Sequence, residues 1–192
     1  MDQGWEGKFG NEYTKRNKDA PDRSRFWDLV LKTYRPKTVL EVGCNVGFNV
    51  GAIAHLEKDI RVWGVDINEQ ALRVMHQKHP MVSGGWATIF DMPFKDRAFD
   101  LVFTVGLLIH IKPKDLPDAI RETWRVTGET LLVAEYYSED FQEIPYRGMD
   151  KFLFKGPYGR AVTEVTGAKV DATGYLSKED GFDRVTWWSF KK

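Results

Sequence analysis

The chain has 192 residues with balanced charge, 28 Lys plus Arg against 28 Asp plus Glu, and 42% of its residues are hydrophobic. This length and apolar content suffice for one domain with a sizeable core. The balance gives no overall attraction to nucleic acid, although a local basic patch is still open. Cys44 is the only cysteine, which excludes an internal disulfide and favours the cytoplasm. No run of about 18 apolar residues and no leader pattern occurs, so we expect neither export nor membrane anchoring.

The spacing of apolar residues predicts alternating helices and strands after a polar and aromatic N-terminal loop or lid. The predicted elements, in chain order, are a helix over residues 22–34, a strand over 38–42, a helix over 50–56, a strand over 61–66, a helix from 68 to near 80, strands over 87–90 and 99–105, a helix over 115–125, a strand over 130–136, and two hairpin strands over 168–176 and 184–190. Such alternation predicts a mostly parallel α/β sheet of about seven strands with helices on both faces. The last two strands predict an antiparallel hairpin at one edge.

The turn after the first predicted strand carries glycines at positions 43 and 47. In open parallel sheets, ligands bind beyond the carboxyl ends of the strands, beside the first strand. The dinucleotide fingerprint set on Gly43 would need glycines where the chain has Asn45 and Phe48, and no Walker loop follows. Asn enters left-handed backbone geometry at low cost, so Asn45 is compatible with a tight turn. A plain strand-to-helix turn with packing glycines is the alternative.

This turn resembles motif I of the class I methyltransferases that depend on S-adenosylmethionine (SAM), in which an acidic residue precedes three glycines at alternate positions. The matching positions are Glu41, Gly43, Asn45 and Gly47, and only Asn45 departs from the motif. The resemblance spans residues 39–137. It implies a Rossmann-like class I methyltransferase fold with SAM as the cofactor, bound by this turn through Asn49.

The resemblance implies one methyltransferase domain over residues 1–192. Its parts are an N-terminal lid or arm over 1–20, a cofactor-binding core over 38–137, and an acceptor-side segment with the closing hairpin over 138–192.

Acidic residues at two later strand ends extend the predicted cofactor site. Asp66 ends the second strand about 20 residues beyond the glycine turn, where a carboxylate accepts the hydroxyls of a ribose. Capping of the next helix by Asp66 or Asn68 is the alternative. The resemblance places Ile67 against the adenine, Asp91 near the adenine amino group and Met92 on the ring. Asp91 is alternatively a turn residue.

The segment after the fourth long strand predicts the catalytic chemistry. Methyl transfer is an in-line displacement on a sulfonium, so the protein mainly aligns the nucleophile and excludes water, and no metal is required. The resemblance places Gly106 and Leu107 against the methionine part of SAM. His110 follows, and a pKa near 6.5 would suit a base that removes a hydroxyl proton, with a structural histidine as the alternative. The Asn/Asp-Pro-Pro-Tyr/Phe loop of amino methyltransferases does not follow this strand, which favours oxygen as the target.

Two flanking segments rich in aromatic and basic residues complete the predicted site. Tyr13 and Arg16 are predicted to reach the cofactor's carboxylate or sulfonium, with a loose tail as the alternative. The acceptor pocket is predicted from five residues after the fifth long strand, with a solvated surface as the alternative. These residues are Tyr137, Tyr146, Arg147, Tyr158 and Arg160. The N-terminus and glycine turn together resemble the pseudaminic-acid-biosynthesis-associated methylases, which implies a sugar or related polar metabolite as acceptor.

A small-molecule acceptor is therefore the predicted partner, and three other interpretations are left open. One is a nucleic-acid or protein methyltransferase, which the balanced charge disfavours for nucleic acid. Another is a SAM-binding regulatory module without catalysis. The third is an NAD-linked oxidoreductase, which the glycine spacing disfavours.

Overall fold

A computed structural model describes residues 4–16, 21–146 and 152–192. The helices are α1 (Lys8–Arg16), α2 (Ser24–Tyr34), α3 (Phe48–Leu56), α4 (Glu69–Lys78), α5 (Leu116–Val126) and α6 (Tyr158–Thr166), and Leu108–His110 forms a 3₁₀ turn. The strands are β1 (Thr38–Val42), β2 (Arg61–Asp66), β3 (Ser83–Trp86), β4 (Phe99–Val105), β5 (Thr127–Glu135), β6 (Gln142–Glu143), β7 (Phe154–Lys155), β8 (Val170–Leu176) and β9 (Val185–Lys191).

Seven strands form one sheet in the order β3-β2-β1-β4-β5-β9-β8. The first five of these are parallel to one another, whereas β9 is antiparallel to both β5 and β8. The predicted α/β architecture with a closing antiparallel hairpin is therefore confirmed. Because β2 and β4 flank β1 on opposite sides, the strand order reverses at β1. Such a reversal leaves a crevice at the carboxyl ends of the strands.

The core lies on both faces of the sheet because successive side chains of a strand point to opposite sides. In β1, Leu40 belongs to a cluster that contains side chains of α5 and α6. Its neighbour Val39 belongs to a second cluster, which contains Trp27 of α2 and Met75 of α4. Every residue of β1 is buried. This two-sided burial explains why the central strands read as continuous apolar runs in the sequence.

The third strand lies four residues earlier than predicted. The prediction of residues 87–90 followed the buried Ala87 and Ile89, which belong to the loop after the strand. The actual strand β3 contains two consecutive glycines and lacks an alternating apolar pattern. A Cβ at Gly84 would overlap the carbonyl oxygen of Gly64 on the neighbouring strand, so close backbone approach requires glycine there. That requirement is tertiary and leaves no periodic signal.

The N-terminal segment is also more ordered than the predicted loop, because Lys8–Arg16 forms α1. The helix packs against α4. Asn68, at the start of α4, donates hydrogen bonds to the Trp5 carbonyl at 2.8 Å and to Asn11 Oδ1 at 3.1 Å. These contacts lie far apart in sequence, which explains why the local pattern did not predict a helix.

Two features are absent from the described residues, namely a membrane-spanning helix and a metal-binding cluster. No helix formed by residues 4–16, 21–146 or 152–192 has the length and apolar character to cross a membrane. The same ranges hold no group of three or more His, Cys, Asp or Glu side chains placed to hold a metal ion.

Candidate active site

A cavity of about 700 Å³ opens at the carboxyl ends of β1, β2 and β4, where the strand order reverses. Its volume falls within the range of roughly 300 to 1,000 Å³ that small-molecule sites occupy. The predicted site residues that line it are Tyr13, Glu41, Gly43, Asn45, Asn49, Asp66, Ile67, Gly106, Leu107, His110 and Tyr146. The fold thus brings together side chains from across the chain.

The turn after β1 has left-handed backbone geometry at three alternate positions. Gly43, Asn45 and Gly47 have φ angles of 75°, 48° and 83°. Asn45 therefore adopts the conformation expected of a motif glycine. A Cβ at Gly43 would lie 2.7 Å from the Leu107 side chain, so this glycine permits close approach of two cavity loops. Gly47 does not line the cavity. A Cβ there would lie 2.6 Å from Met75 Cγ, so this glycine permits close packing against α4.

Asp66 lies at the end of β2 and faces the glycine turn. Its Oδ2 accepts a hydrogen bond from the Asn45 N–H and its Oδ1 accepts one from the Asn68 N–H, both at 2.8 Å. Asn68 is the residue that caps α4, because its Oδ1 accepts the N–H of Ala71 at 2.9 Å. A carboxylate offers about four acceptor positions, so Asp66 retains capacity for further donors. Burial raises the pKa of Asp66, against the effect of its backbone hydrogen bonds.

Glu41 stabilises the glycine turn through hydrogen bonds to its buried carboxyl group. Its Oε1 accepts a hydrogen bond from Asn49 Nδ2 at 2.6 Å, and its Oε2 accepts the Val50 N–H at 3.3 Å. Asn49 Oδ1 in turn accepts bonds from Arg23 Nη1 at 2.8 Å and Trp27 Nε1 at 3.2 Å. Burial raises the pKa of Glu41 to about 8, which favours its protonated form at neutral pH. The motif's acidic residue is therefore part of a buried polar network that fixes the turn.

Arg23 lines the cavity, although the sequence analysis did not single it out. Its Nε donates to the Gly181 carbonyl at 2.8 Å, and its guanidinium lies 4.5 Å from the centre of the Phe182 ring. Burial lowers the pKa of Arg23. The predicted cation at this end of the site, Arg16, is the last residue of α1, and its side chain lies outside the described part of the chain. Arg23 directly precedes α2, and no motif marked it.

The segment that contains α1 forms a wall of the cavity above the glycine turn. Trp5 and Tyr13 line the cavity from this segment. Thr14 Oγ1 lies 3.5 Å from Asn45 Oδ1, and Asn68 holds the Trp5 carbonyl. The predicted position of Tyr13 at the cavity is therefore observed, and Trp5 is an additional residue that the sequence analysis did not identify.

His110 ends the 3₁₀ turn after β4 and lines the cavity. Its Nδ1 lies 2.8 Å from the carbonyl oxygen of Phe152, so Nδ1 carries the proton and donates, and Nε2 holds the lone pair. The centre of its ring lies 4.5 Å from that of Trp5. Burial lowers the pKa of His110 to about 4, whereas the sequence-based hypothesis assumed a value near 6.5. The imidazole is therefore neutral at physiological pH and is a weaker base than expected.

Two of the three residues predicted to lie beside the adenine are outside the cavity, and only Ile67 lines it. Asp91 is exposed in a turn in which its N–H donates to the Thr88 carbonyl, and Met92 is buried in the core. The residues from Trp86 to Phe90 line the cavity instead. The displacement has the same cause as the error in β3, since the strand ends four residues earlier than predicted.

A family model described as a methyltransferase domain matches residues 39–129. These residues contain all of β1 except Thr38, the strands β2 to β4, the glycine turn and Asp66. Residues 39–129 are thus similar to a methyltransferase domain.

Two curated proteins are similar to this chain over part of its length. Ajmaline N-methyltransferase of Rauvolfia serpentina is 31% identical over 116 residues, which cover 55% of this chain and 38% of that protein. The chain therefore spans well under half the length of that relative. An uncharacterised protein of Methanocaldococcus jannaschii is 27% identical over 169 residues, which cover 86% of this chain and 72% of that protein.

Solved structures with the same fold share little sequence identity with this chain. Magnesium protoporphyrin IX methyltransferase of Synechocystis PCC 6803, solved with bound SAH (S-adenosylhomocysteine), has a TM-score of 0.73 at 14% identity over 98% of this chain and 96% of that one. The 1,6-didemethyltoxoflavin-N1-methyltransferase of Burkholderia thailandensis has a TM-score of 0.75 at 14% identity over 96% of this chain and 85% of that one. These similarities show that the chain has the class I SAM-dependent methyltransferase fold.

Most of the predicted acceptor residues do not line the cavity. Tyr137 is 51% exposed, and Tyr158 is fully buried with its hydroxyl donating to the Phe154 carbonyl. Arg160 lies on the surface and donates to the Glu139 carbonyl. Only Tyr146 lines the cavity, and Arg147 lies outside the described residues.

One end of the cavity is formed by Tyr136, which follows β5, and by residues of the hairpin. Tyr136 donates a hydrogen bond to Asp183 Oδ2 at 2.6 Å, and both residues line the cavity. Phe182 and Val185 line it beside them. Tyr136 and Tyr137 face different sides because side chains alternate along extended chain. Tyr136 therefore lines the cavity, whereas Tyr137, the residue predicted from the sequence, does not.

Proposed function

We propose that the protein transfers a methyl group from SAM to a small polar acceptor. The single observation that carries this proposal is the Asp66 carboxylate, which faces the left-handed turn at Gly43 and Asn45 across one cavity. The bare backbone of the turn leaves room for close approach of a ligand, and the carboxylate keeps acceptor capacity for a ribose hydroxyl. These features fit a sulfonium nucleoside.

The chain's own residues divide into binding and supporting groups in this proposal. Asp66 holds the ribose and Ile67 packs on the adenine, whose other wall is formed by residues 87–90 in place of Asp91 and Met92. Tyr13 and Arg23 bind the methionine end. The residues that shape the turn and its approach are Glu41, Gly43, Asn45, Gly47, Asn49, Gly106 and Leu107. Bound SAM would supply an electrophilic methyl group on a positively charged sulfur.

We retain His110 as the proposed catalytic residue, in a modified role. Its Nε2 carries a lone pair at neutral pH, because Nδ1 is engaged with the Phe152 carbonyl. A base with a lowered pKa accepts a hydrogen bond from a hydroxyl and takes the proton only as the oxygen becomes strongly acidic during attack. This role supports oxygen as the target and a sugar or related metabolite as acceptor.

Nitrogen is the second candidate target. Ajmaline N-methyltransferase supports it by sequence similarity over 116 residues. The Tyr136 hydroxyl, which donates to Asp183, has lone pairs that can accept a hydrogen bond from an amine as well as from a hydroxyl. Formation of SAH from SAM, measured in parallel with hydroxyl and amine acceptors, distinguishes the two targets.

Calorimetric titration of two aspartate variants tests the cofactor assignment. Asp66→Asn is expected to weaken SAM binding about tenfold to a hundredfold, since hydrogen bonds to a charged group contribute roughly 1.5 to 3 kcal/mol. Asp91→Asn is the matched control and should leave the dissociation constant unchanged, because Asp91 lies outside the cavity. Equal affinities for the unmodified protein and Asp66→Asn would contradict the assignment, as would absence of SAM binding altogether.

A further inference from the structure

Glu135 is a buried carboxylate at the end of β5 that the proposed chemistry does not use. It is fully buried and does not line the cavity. Its Oε1 accepts the Thr104 hydroxyl at 2.8 Å and the N–H groups of Leu107 at 3.3 Å and Leu108 at 3.1 Å. Its Oε2 accepts the Ile109 N–H at 3.4 Å. One side chain therefore binds three consecutive backbone donors of the turn after β4.

These donors need a partner because they begin a helical turn. The first N–H groups of any helical segment have no acceptor within the helix, and the 3₁₀ turn has no side-chain cap of its own at Leu107. Water is excluded from this position, since Leu108 and Ile109 are buried. The Glu135 carboxylate supplies the missing acceptors from the neighbouring strand.

The same turn carries two of the cavity's walls. Leu107 lies against the Gly43 backbone, where a Cβ would come within 2.7 Å of its side chain. His110 ends the turn and faces the cavity. A shift of the three held N–H groups would therefore move the Leu107 side chain and the His110 imidazole together.

Burial opposes the charge of Glu135, so its presence costs stability that an apolar residue would not. Burial raises the pKa of Glu135 to about 7, although four hydrogen bonds lower it. Burial, and after it the charge of Glu135, raises the pKa of the Tyr158 hydroxyl. Packing alone does not account for a carboxylate at this position, whereas a need for several acceptors does.

We propose that Glu135 is a positioning residue, whose carboxylate fixes the turn over residues 106–110 and so sets the places of Leu107 and His110 in the active site. The identity of the bound molecule in this inference rests on the proposed function. The geometric part, that Glu135 orients His110, does not depend on it.

The test compares Glu135→Gln with Thr123→Val. Glutamine has the same shape, but its amide nitrogen cannot accept, so at least one held donor loses its partner. Thr123→Val is the matched control, because it removes one buried hydroxyl-to-carbonyl hydrogen bond within α5, outside the cavity. Each variant is assayed by thermal unfolding, by titration with SAM and with SAH, and by the ¹⁵N resonances of the His110 ring.

We expect Glu135→Gln to weaken both SAM and SAH binding about tenfold, since the proposed function places Leu107 against either molecule, and to change the His110 Nδ1 resonance. Thr123→Val should lower the unfolding temperature while affinity and resonance stay as in the unmodified protein. If Glu135→Gln lowers only the unfolding temperature, Glu135 is merely structural and the proposal is overturned.

The two proposals fail in different ways. If the unmodified protein binds neither SAM nor SAH, the proposed function is lost, yet the His110 resonance still decides whether Glu135 positions the turn. Should Glu135→Gln not fold, Glu135→Met provides the second variant, because an apolar side chain of similar length removes the buried charge but also every acceptor. An unchanged His110 resonance in that variant would overturn the proposal.

Discussion

At the scale of single residues, Asn45 shows how one backbone angle decides whether a motif survives a substitution. Its φ of 48° places it in the left-handed region, where Asn is tolerated and most other residues are strained. Its N–H also donates to Asp66, so the angle at this residue directs a hydrogen bond to the predicted ribose carboxylate. The turn therefore depends on backbone conformation more than on the absence of a side chain.

Substitutions at Asn45 should separate these two factors. Asn45→Gly is expected to leave the free energy of unfolding within about 0.5 kcal/mol of the unmodified protein, since glycine adopts this angle freely. Asn45→Ala should cost roughly 1 to 2 kcal/mol through left-handed strain. Urea unfolding of the two variants measures the difference. Equal stability of Ala and Gly at this position would show that the turn relaxes to another conformation.

At the scale of elements, Asn68 joins the N-terminal segment to the core. Its Oδ1 caps α4 by accepting the Ala71 N–H, while its Nδ2 donates to the Trp5 carbonyl and to Asn11. One side chain thus stabilises a core helix and also ties down the cavity wall formed by residues 4–16. Opening of this wall to admit a ligand would break the Nδ2 bonds while leaving the helix cap intact.

The two roles of Asn68 are separable by substitution. Asn68→Ser should keep the helix cap, because serine caps helices well, but its short side chain lacks the amide that binds Trp5. Asn68→Ala should lose both contacts and about 1 kcal/mol more stability than Ser. We expect faster SAM dissociation in both variants, measured by stopped flow, with a large loss of stability only for Ala. If SAM leaves Asn68→Ser at the unmodified rate, the tie does not limit release.

The same scale shows what the sequence predicts and what it does not. Strands β1, β2 and β4 were predicted because buried parallel strands carry continuous apolar runs, and Asp66 followed because it ends such a strand. Glu41 followed from the resemblance of the glycine turn to motif I. Strand β3 was misplaced because its two glycines leave no alternating apolar pattern, and Gly84 is required by the backbone of Gly64 on the neighbouring strand. The other residues that line the cavity make contacts between segments far apart in sequence, and these contacts form only in the folded chain.

Arg23 and Tyr158 illustrate this limit. Arg23 and the Gly181 carbonyl are 158 positions apart in sequence, so no local spacing relates them. Tyr158 was selected for its aromatic ring, yet it begins a helix whose inner face enters the core. Acceptor-side loops vary independently of the scaffold, and their contacts require the folded structure.

At the scale of the whole molecule, buried ionisable groups should set the pH range of stability. The folded pKa of His110 is about 4, below its unfolded value near 6.5. The folded pKa of Glu41 is about 8, above its unfolded value near 4.5. Between pH 6.5 and 4 the unfolded chain binds a proton at His110 that the folded protein does not, so acid destabilises the fold. Between pH 4.5 and 8 the unfolded chain releases a proton from Glu41 that the folded protein keeps, so alkali destabilises it.

Two variants test these opposite slopes. Relative to pH 7.5, the His110 contribution should lower stability by about 2 kcal/mol at pH 5, and His110→Gln should abolish that part of the loss. The Glu41 contribution should lower stability by about 3 kcal/mol from pH 5 to pH 8, and Glu41→Gln should flatten it. Urea unfolding at pH 5, 6.5 and 8 measures both. Parallel profiles for the variants and the unmodified protein would contradict the assignment of these groups as buried.

The bond from Arg23 to the Gly181 carbonyl makes the hairpin turn and the motif turn mechanically continuous. From Gly181 the chain of contacts runs through Arg23 and Asn49 to Glu41, crossing from the last fifteen residues of the chain to its first strand. The sequence of the hairpin loop therefore cannot be replaced without regard to the glycine turn. Any replacement of it would have to preserve one carbonyl oxygen, or Arg23 would lose an acceptor that holds it beside Asn49.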